Sequence, residues 1–134
     1  MRSRPGDNWA AVRALRAIID DAPADVDAGV DVRLRDLDGI AITEVVFRVS
    51  SGVWTASATI MRYDLGPRTD PTDPEVGAPA IHYRLQYNDG ESRRRVVVKP
   101  RADVLAQLDN YQIPAAAVSR LFAWTDTAAG LLEI

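Results

Sequence analysis

The residues best placed to act together chemically are His82, Arg84, Arg93, Arg95 and Lys99. Between positions 81 and 87 the apolar or aromatic Ile81, Tyr83, Leu85 and Tyr87 alternate with His82, Arg84 and Gln86, the period of a half-buried strand. Asp89-Gly90 then signals a two-residue hairpin turn into Arg93–Lys99. Pairing across that turn puts Ile81 near Val98 and Tyr83 near Val96 on a core face. It puts His82 near Val97, Arg84 near Arg95 and Gln86 near Arg93 on the opposite face. Like charges on neighbouring strands repel, so such a patch calls for an anionic partner: an acidic protein surface, a phosphate or a nucleic acid backbone. The plain alternative is a solvated face neutralised by Glu44, Glu91 or nearby acidic loop residues.

Further chemistry finds less support. His82 is the only histidine, and a general base needs a nucleophile and an orienting group beside it. Ser57 and Thr59 are outward neighbours if the third and fourth strands pair, but no GxSxG elbow accompanies them. No catalytic residue is assigned. Asp64, Asp70, Asp73 and Glu75 could gather around a hard cation, yet their spacing matches no calcium loop. No metal or cofactor is assigned. The loop that carries them, Asp64–Pro79, is long and contains Gly66-Pro67, Asp70-Pro71, Asp73-Pro74 and Ala78-Pro79. Prolines cannot donate to a sheet ladder, and binding residues concentrate on such loops. Asp70, Asp73 and Glu75 therefore join the basic patch as candidate partner-binding residues.

These residues depend on a run of five strands from Val30 to Lys99. Asp38-Gly39 predicts a tight hairpin pairing Leu37 with Ile40, so that Val30, Val32 and Leu34 lie beside Phe47, Val45 and Thr43. Ser51-Gly52 predicts the next turn, pairing Val49 with Trp54, Phe47 with Ala56 and Val45 with Ala58. Both turns place the same side of the second strand on the apolar face, and a one-residue slip would invert every side chain. The reverse face mixes Ile40, Ile42, Val46, Val53 and Met61 with Glu44, Arg48, Thr55, Ser57 and Thr59. So much outward apolar surface suits a partner or a second copy of the chain, unless helices cover both faces.

Helices flank the strands. Trp9, Val12, Leu15, Ile18 and Ile19 recur at helical spacing behind a cap at Asp7 or Asn8, after a loose tail at residues 1–6. Ala102–Tyr111 reads as a short helix with Val104, Leu105 and Leu108 inward. Pro114 opens another, with Val118, Leu121, Phe122 and Trp124 on its apolar side and a final turn capped by Thr125 or Asp126. Trp54, Tyr111 and Trp124 would line a small-molecule pocket if the sheet curled into a cone-shaped ligand-binding fold.

Composition sets the frame. The chain has 134 residues, 47% of them hydrophobic and 26% charged, as expected of one soluble domain over residues 1–134. It has no cysteine, which excludes disulfides and thiolate sites and fits a reducing cytoplasm. The basic start, MRSRPGDNW, has no apolar run behind it and does not read as a signal peptide, and no stretch is long enough to span a membrane. Net charge is −3 and the outward face lacks stacking aromatics, which argues against nucleic acid. The Arg-, Ala- and Asp-rich usage suggests GC-rich bacterial coding.

The expected fold is α+β: an N-terminal helix, a five-stranded antiparallel meander and two or three C-terminal helices. This layout is similar to that of small bacterial immunity proteins that neutralise toxins, a likeness of architecture that specifies no residue. The expected function is non-enzymatic protein binding by an immunity-type or accessory protein that occludes its partner through the outer sheet face and the 64–79 loop. The alternatives are a cone-shaped ligand-binding or enzymatic domain, and phosphate or nucleic acid binding on the arginines.

Overall fold

Asp38 and Gly39, with φ of 52° and 86°, sit at a tight reversal with the left-handed backbone of a type I′ turn. The computed structural model describes residues 13–20, 22, 24–64, 80–91 and 94–131. The candidate residues Asp70, Asp73, Glu75 and Arg93 lie outside these, as do residues 1–12 and the expected proline-rich loop beyond Asp64. Strands β1 (Asp27–Leu37), β2 (Ile40–Ser51), β3 (Trp54–Asp64), β4 (Ala80–Asn88) and β5 (Arg94–Lys99) form one antiparallel sheet in sequence order. Helix α1 covers residues 13–19. After the sheet come α2 (Arg101–Val104), a 3-10 turn (Leu105–Gln107), α3 (Leu108–Tyr111) and α4 (Ala115–Leu131). The fold is α+β, as expected.

Of the three hairpin registers predicted from turns, one is as expected and two are displaced. The β1–β2 register is the predicted one, with Leu37 opposite Ile40, Val30 opposite Phe47 and Val32 opposite Val45. The β2–β3 register is displaced by two residues: Ser51 pairs with Trp54 and Val49 with Ala56. Gly52, at φ 59°, takes the first turn position and Val53 the second, because only the first needs positive φ in a type II′ turn. An even displacement keeps each side chain on its predicted face. The β4–β5 register moves by three: Asn88 pairs with Arg94, Leu85 with Val97 and Tyr83 with Lys99. The Asn88 side chain accepts from the Gly90 N–H at 2.9 Å and that of Asp89 from the Glu91 N–H at 3.0 Å, holding a wider turn than Asp89-Gly90 alone. This odd displacement turns β5 over.

All described helices lie on one side of the sheet. Val45, Phe47 and Val49 of β2, Ala56, Ala58 and Ile60 of β3, and Tyr83 and Leu85 of β4 form a buried face. Helix α4 crosses β2 and β3 and buries Ala117, Val118, Leu121, Trp124 and Ala128 against it. The small Ala56 and Ala58 leave room for this approach, and the Trp124 ring meets Phe47 at 5.9 Å. Leu15 of α1 joins the same core. The break expected at Thr125 does not occur. The Thr125 hydroxyl instead donates to the Phe122 carbonyl at 2.9 Å inside a continuous helix. Val104 and Leu108, four residues apart, share the inner side, while Leu105, about 100° round the axis, is 57% exposed rather than inward. Gln112, left-handed at φ 56°, ends α3, and the Ile113 N–H reaches back to the Leu108 carbonyl.

One polar chain runs through this layer. Tyr83 is buried, with its ring edge-on to Phe122 at 5.0 Å and its hydroxyl 3.1 Å from Thr125 Oγ1. Outside it, Arg101 stacks 4.4 Å above Phe122 and donates to Asp126 at 2.8 Å. That hydrogen bond holds the Arg101 guanidinium above its usual pKa. Both partners are more than half exposed, so the pair tethers α2 to α4 with a contribution of about 1 kcal/mol at most.

Candidate binding face

The sheet face away from the helices is built from alternate residues of the strands that make the core. Cross-strand pairing sets Gly29, Arg48, Ser57, Arg84 and Val98 in one row. The row on one side holds Asp27, Ser50, Thr55, Gln86 and Val96, and the row on the other Asp31, Val46, Thr59 and His82. Arg48 and Arg84 are exposed and make no ion pair among the described residues. The terminal nitrogen of Arg48 leans over Gly29, where a Cβ would meet it at 3.4 Å. The missing side chain leaves that space, a close approach that strand glycines commonly serve. Between the two arginines lies a groove of about 250 Å³, lined by Val46, Arg48, Thr55, Ser57, Arg84 and Gln86.

The predicted basic patch is therefore divided. Arg84 and His82 face outward as expected, and His82 stands opposite Thr59. Arg95 and Lys99 do not join them. The reversed β5 places both on the helix side, where Arg95 donates to the Asn110 carbonyl at 3.4 Å. Val96 and Val98, expected in the core, stand on the outer face, 40% and 54% exposed. Three consecutive valines, Val96–Val98, carry no alternation from which β5 could be oriented. Arg48 takes the place of Arg95 as the second outward arginine. Its position followed from the alternation of β2, but only the β2–β3–β4 pairing sets it across Ser57 from Arg84.

Charge is uneven across this face. Exposed Arg48, Arg84 and Arg94 occupy β2, β4 and β5, while exposed Asp27 and Asp31 occupy the β1 margin. Arg33 lies 4.0 Å from Glu44, itself buried at 8% exposure. Tyr111 and Trp124 pack in the core, and Trp54 borders a cavity of only about 140 Å³, with Val26, Val49, Pro114 and Ala117 among its walls. Among the described residues no three His, Cys, Asp or Glu gather as metal ligands, and no helix is long and apolar enough to cross a membrane. Comparison of the chain with protein-family models, curated proteins and solved structures gives no match.

Proposed function

We propose that this protein is a non-enzymatic protein-binding module that docks the open face of its sheet on an acidic surface of a partner protein. It acts by occlusion, in the manner of an immunity-type or accessory protein. The observation that carries this reading is the placement of Arg48 and Arg84, unneutralised among the described residues, on the face away from the described helices, beside exposed Val96 and Val98. Arginine with apolar neighbours is the composition that interface centres favour. The chain as a whole is acidic, at −3, so this local excess of cations orients an acidic partner towards one face. A second copy of the chain is a poorer match, because it would bring the same arginines to the contact.

The test is capture of the partner from the native host with the full chain, followed by affinity measurement on the identified complex. The double variant Arg48→Glu, Arg84→Glu is expected to weaken binding by about 2 kcal/mol or more, roughly thirtyfold. Arg101→Glu, on the helix side, is expected to leave it unchanged. Equal affinity of the double variant and the wild type would mean that the partner docks elsewhere.

A further inference from the structure

We propose that the groove between Arg48 and Arg84 is a binding site for a single phosphate-type oxyanion. This goes beyond the protein-binding reading and stands on the groove alone. The two arginines belong to strands separated by β3, so their backbones are about two strand spacings, roughly 10 Å, apart. Ser57 occupies the strand between them in the same row, and Thr55 and Gln86 form the adjoining row. The groove thus has arginine side chains on two sides, the hydroxyls of Ser57 and Thr55, the Gln86 amide and the apolar Val46 along its lining, and all but Val46 can donate hydrogen bonds. Its carboxylate neighbours, Asp27 and Asp31, lie on β1, beyond Arg48.

The donor arrangement selects the ligand class. A carboxylate has two oxygens in one plane and one charge. A phosphoryl group presents three oxygens in different directions and a charge of about −1.5 to −2 near neutral pH, matching two guanidiniums that each can grip a pair of oxygens. The hydroxyls of Ser57 and Thr55, on the same lining, can donate to an oxygen that the two forks share. At about 250 Å³ the groove falls short of the roughly 300–1,000 Å³ of pockets for drug-sized molecules and suits one group. Arg48 rests over Gly29 and swings inward when an anion neutralises the pair.

The probe is inorganic phosphate, titrated into the isotope-labelled full chain at constant ionic strength near neutral pH and followed by amide chemical shifts. Saturable shifts centred on Arg48, Ser57 and Arg84 are expected. Arg48→Gln and Arg84→Gln should each weaken binding at least about tenfold, the effect of losing one charge-assisted contact. Arg101→Gln should leave it unchanged. Acetate, a planar monoanion, should bind at least about tenfold more weakly than phosphate, because it can fill only one guanidinium fork. The proposal is overturned by shifts that rise linearly without saturation, by arginine variants that bind like the wild type, or by acetate that binds as tightly as phosphate. The last result would describe a carboxylate site and leave the protein-binding reading standing, so the two fail separately.

Discussion

Replacing Phe47 with alanine is expected to lower the unfolding free energy by about 3–5 kcal/mol, seen as a fall in the urea midpoint with little change in slope. Phe47 is fully buried on the interior strand β2, between Val30 on β1 and Ala58 on β3, beneath the Trp124 ring. Neither Ala58 nor the Trp124 ring is placed to fill the space. Alanine cannot extend, and Trp124 is held between α4 and the sheet, so the site collapses poorly and most of the cavity remains. Against a typical total stability of about 5–15 kcal/mol, this single change removes about a fifth or more. A loss below about 1.5 kcal/mol, the range of a volume-conserving swap, would show that α4 does not pack on the sheet as described.

The second large effect comes from a hydrogen bond whose direction can be deduced. Thr125 has one hydroxyl proton, and it is directed at the Phe122 carbonyl at 2.9 Å. In the 3.1 Å contact with Tyr83, Thr125 Oγ1 is therefore the acceptor and the Tyr83 hydroxyl the donor. The two deletions of this bond are consequently unequal. Tyr83→Phe removes the donor and leaves Thr125 bonded to Phe122, at a cost of about 0.5–1.5 kcal/mol. Thr125→Val keeps the shape but leaves a buried phenol without its acceptor, at a cost of about 1–3 kcal/mol. The double variant should cost less than the sum, because the unsatisfied group has gone with its partner. Denaturant titrations of all four proteins in the cycle test this; a costlier Tyr83→Phe would reverse the assigned direction.

How much of the molecule was legible in its sequence depended on the local chemistry of each turn. Asp38-Gly39 supplies both positive-φ residues of its turn, and the predicted register was the observed one. Ser51-Gly52 indicated the right place but not which residues close the ladder; the glycine belongs first in the turn rather than second. Faces survived, since the displacement was even. Asp89-Gly90 misled, because Asn88 and Asp89 make their own side-chain bonds to the turn, and the valines of β5 offered no pattern to correct it. Arg84 and His82 were legible as outward residues from the alternation of β4. Arg95 and Lys99 were misplaced with their strand. The groove required knowledge of which residues stand opposite one another across three strands, information that no single strand contains. The exposure of Leu105 similarly reflects the packing of Val104 and Leu108, either of which could have shared the inner side with it.

The alternation of strands β2, β3 and β4 separates two kinds of evolutionary constraint. Residues 45, 47, 56, 58, 83 and 85 fill the core, whereas 46, 48, 57, 59, 84 and 86 lie on the outer face where we propose that a partner docks. Outward substitutions on such a surface usually change stability by about 0.5 kcal/mol or less, so they draw little on the margin that keeps the chain folded. Under the proposed binding role, partner choice can drift, residue by residue, over a scaffold that stays fixed. A lineage can thus acquire new specificities at these positions without passing through unstable intermediates.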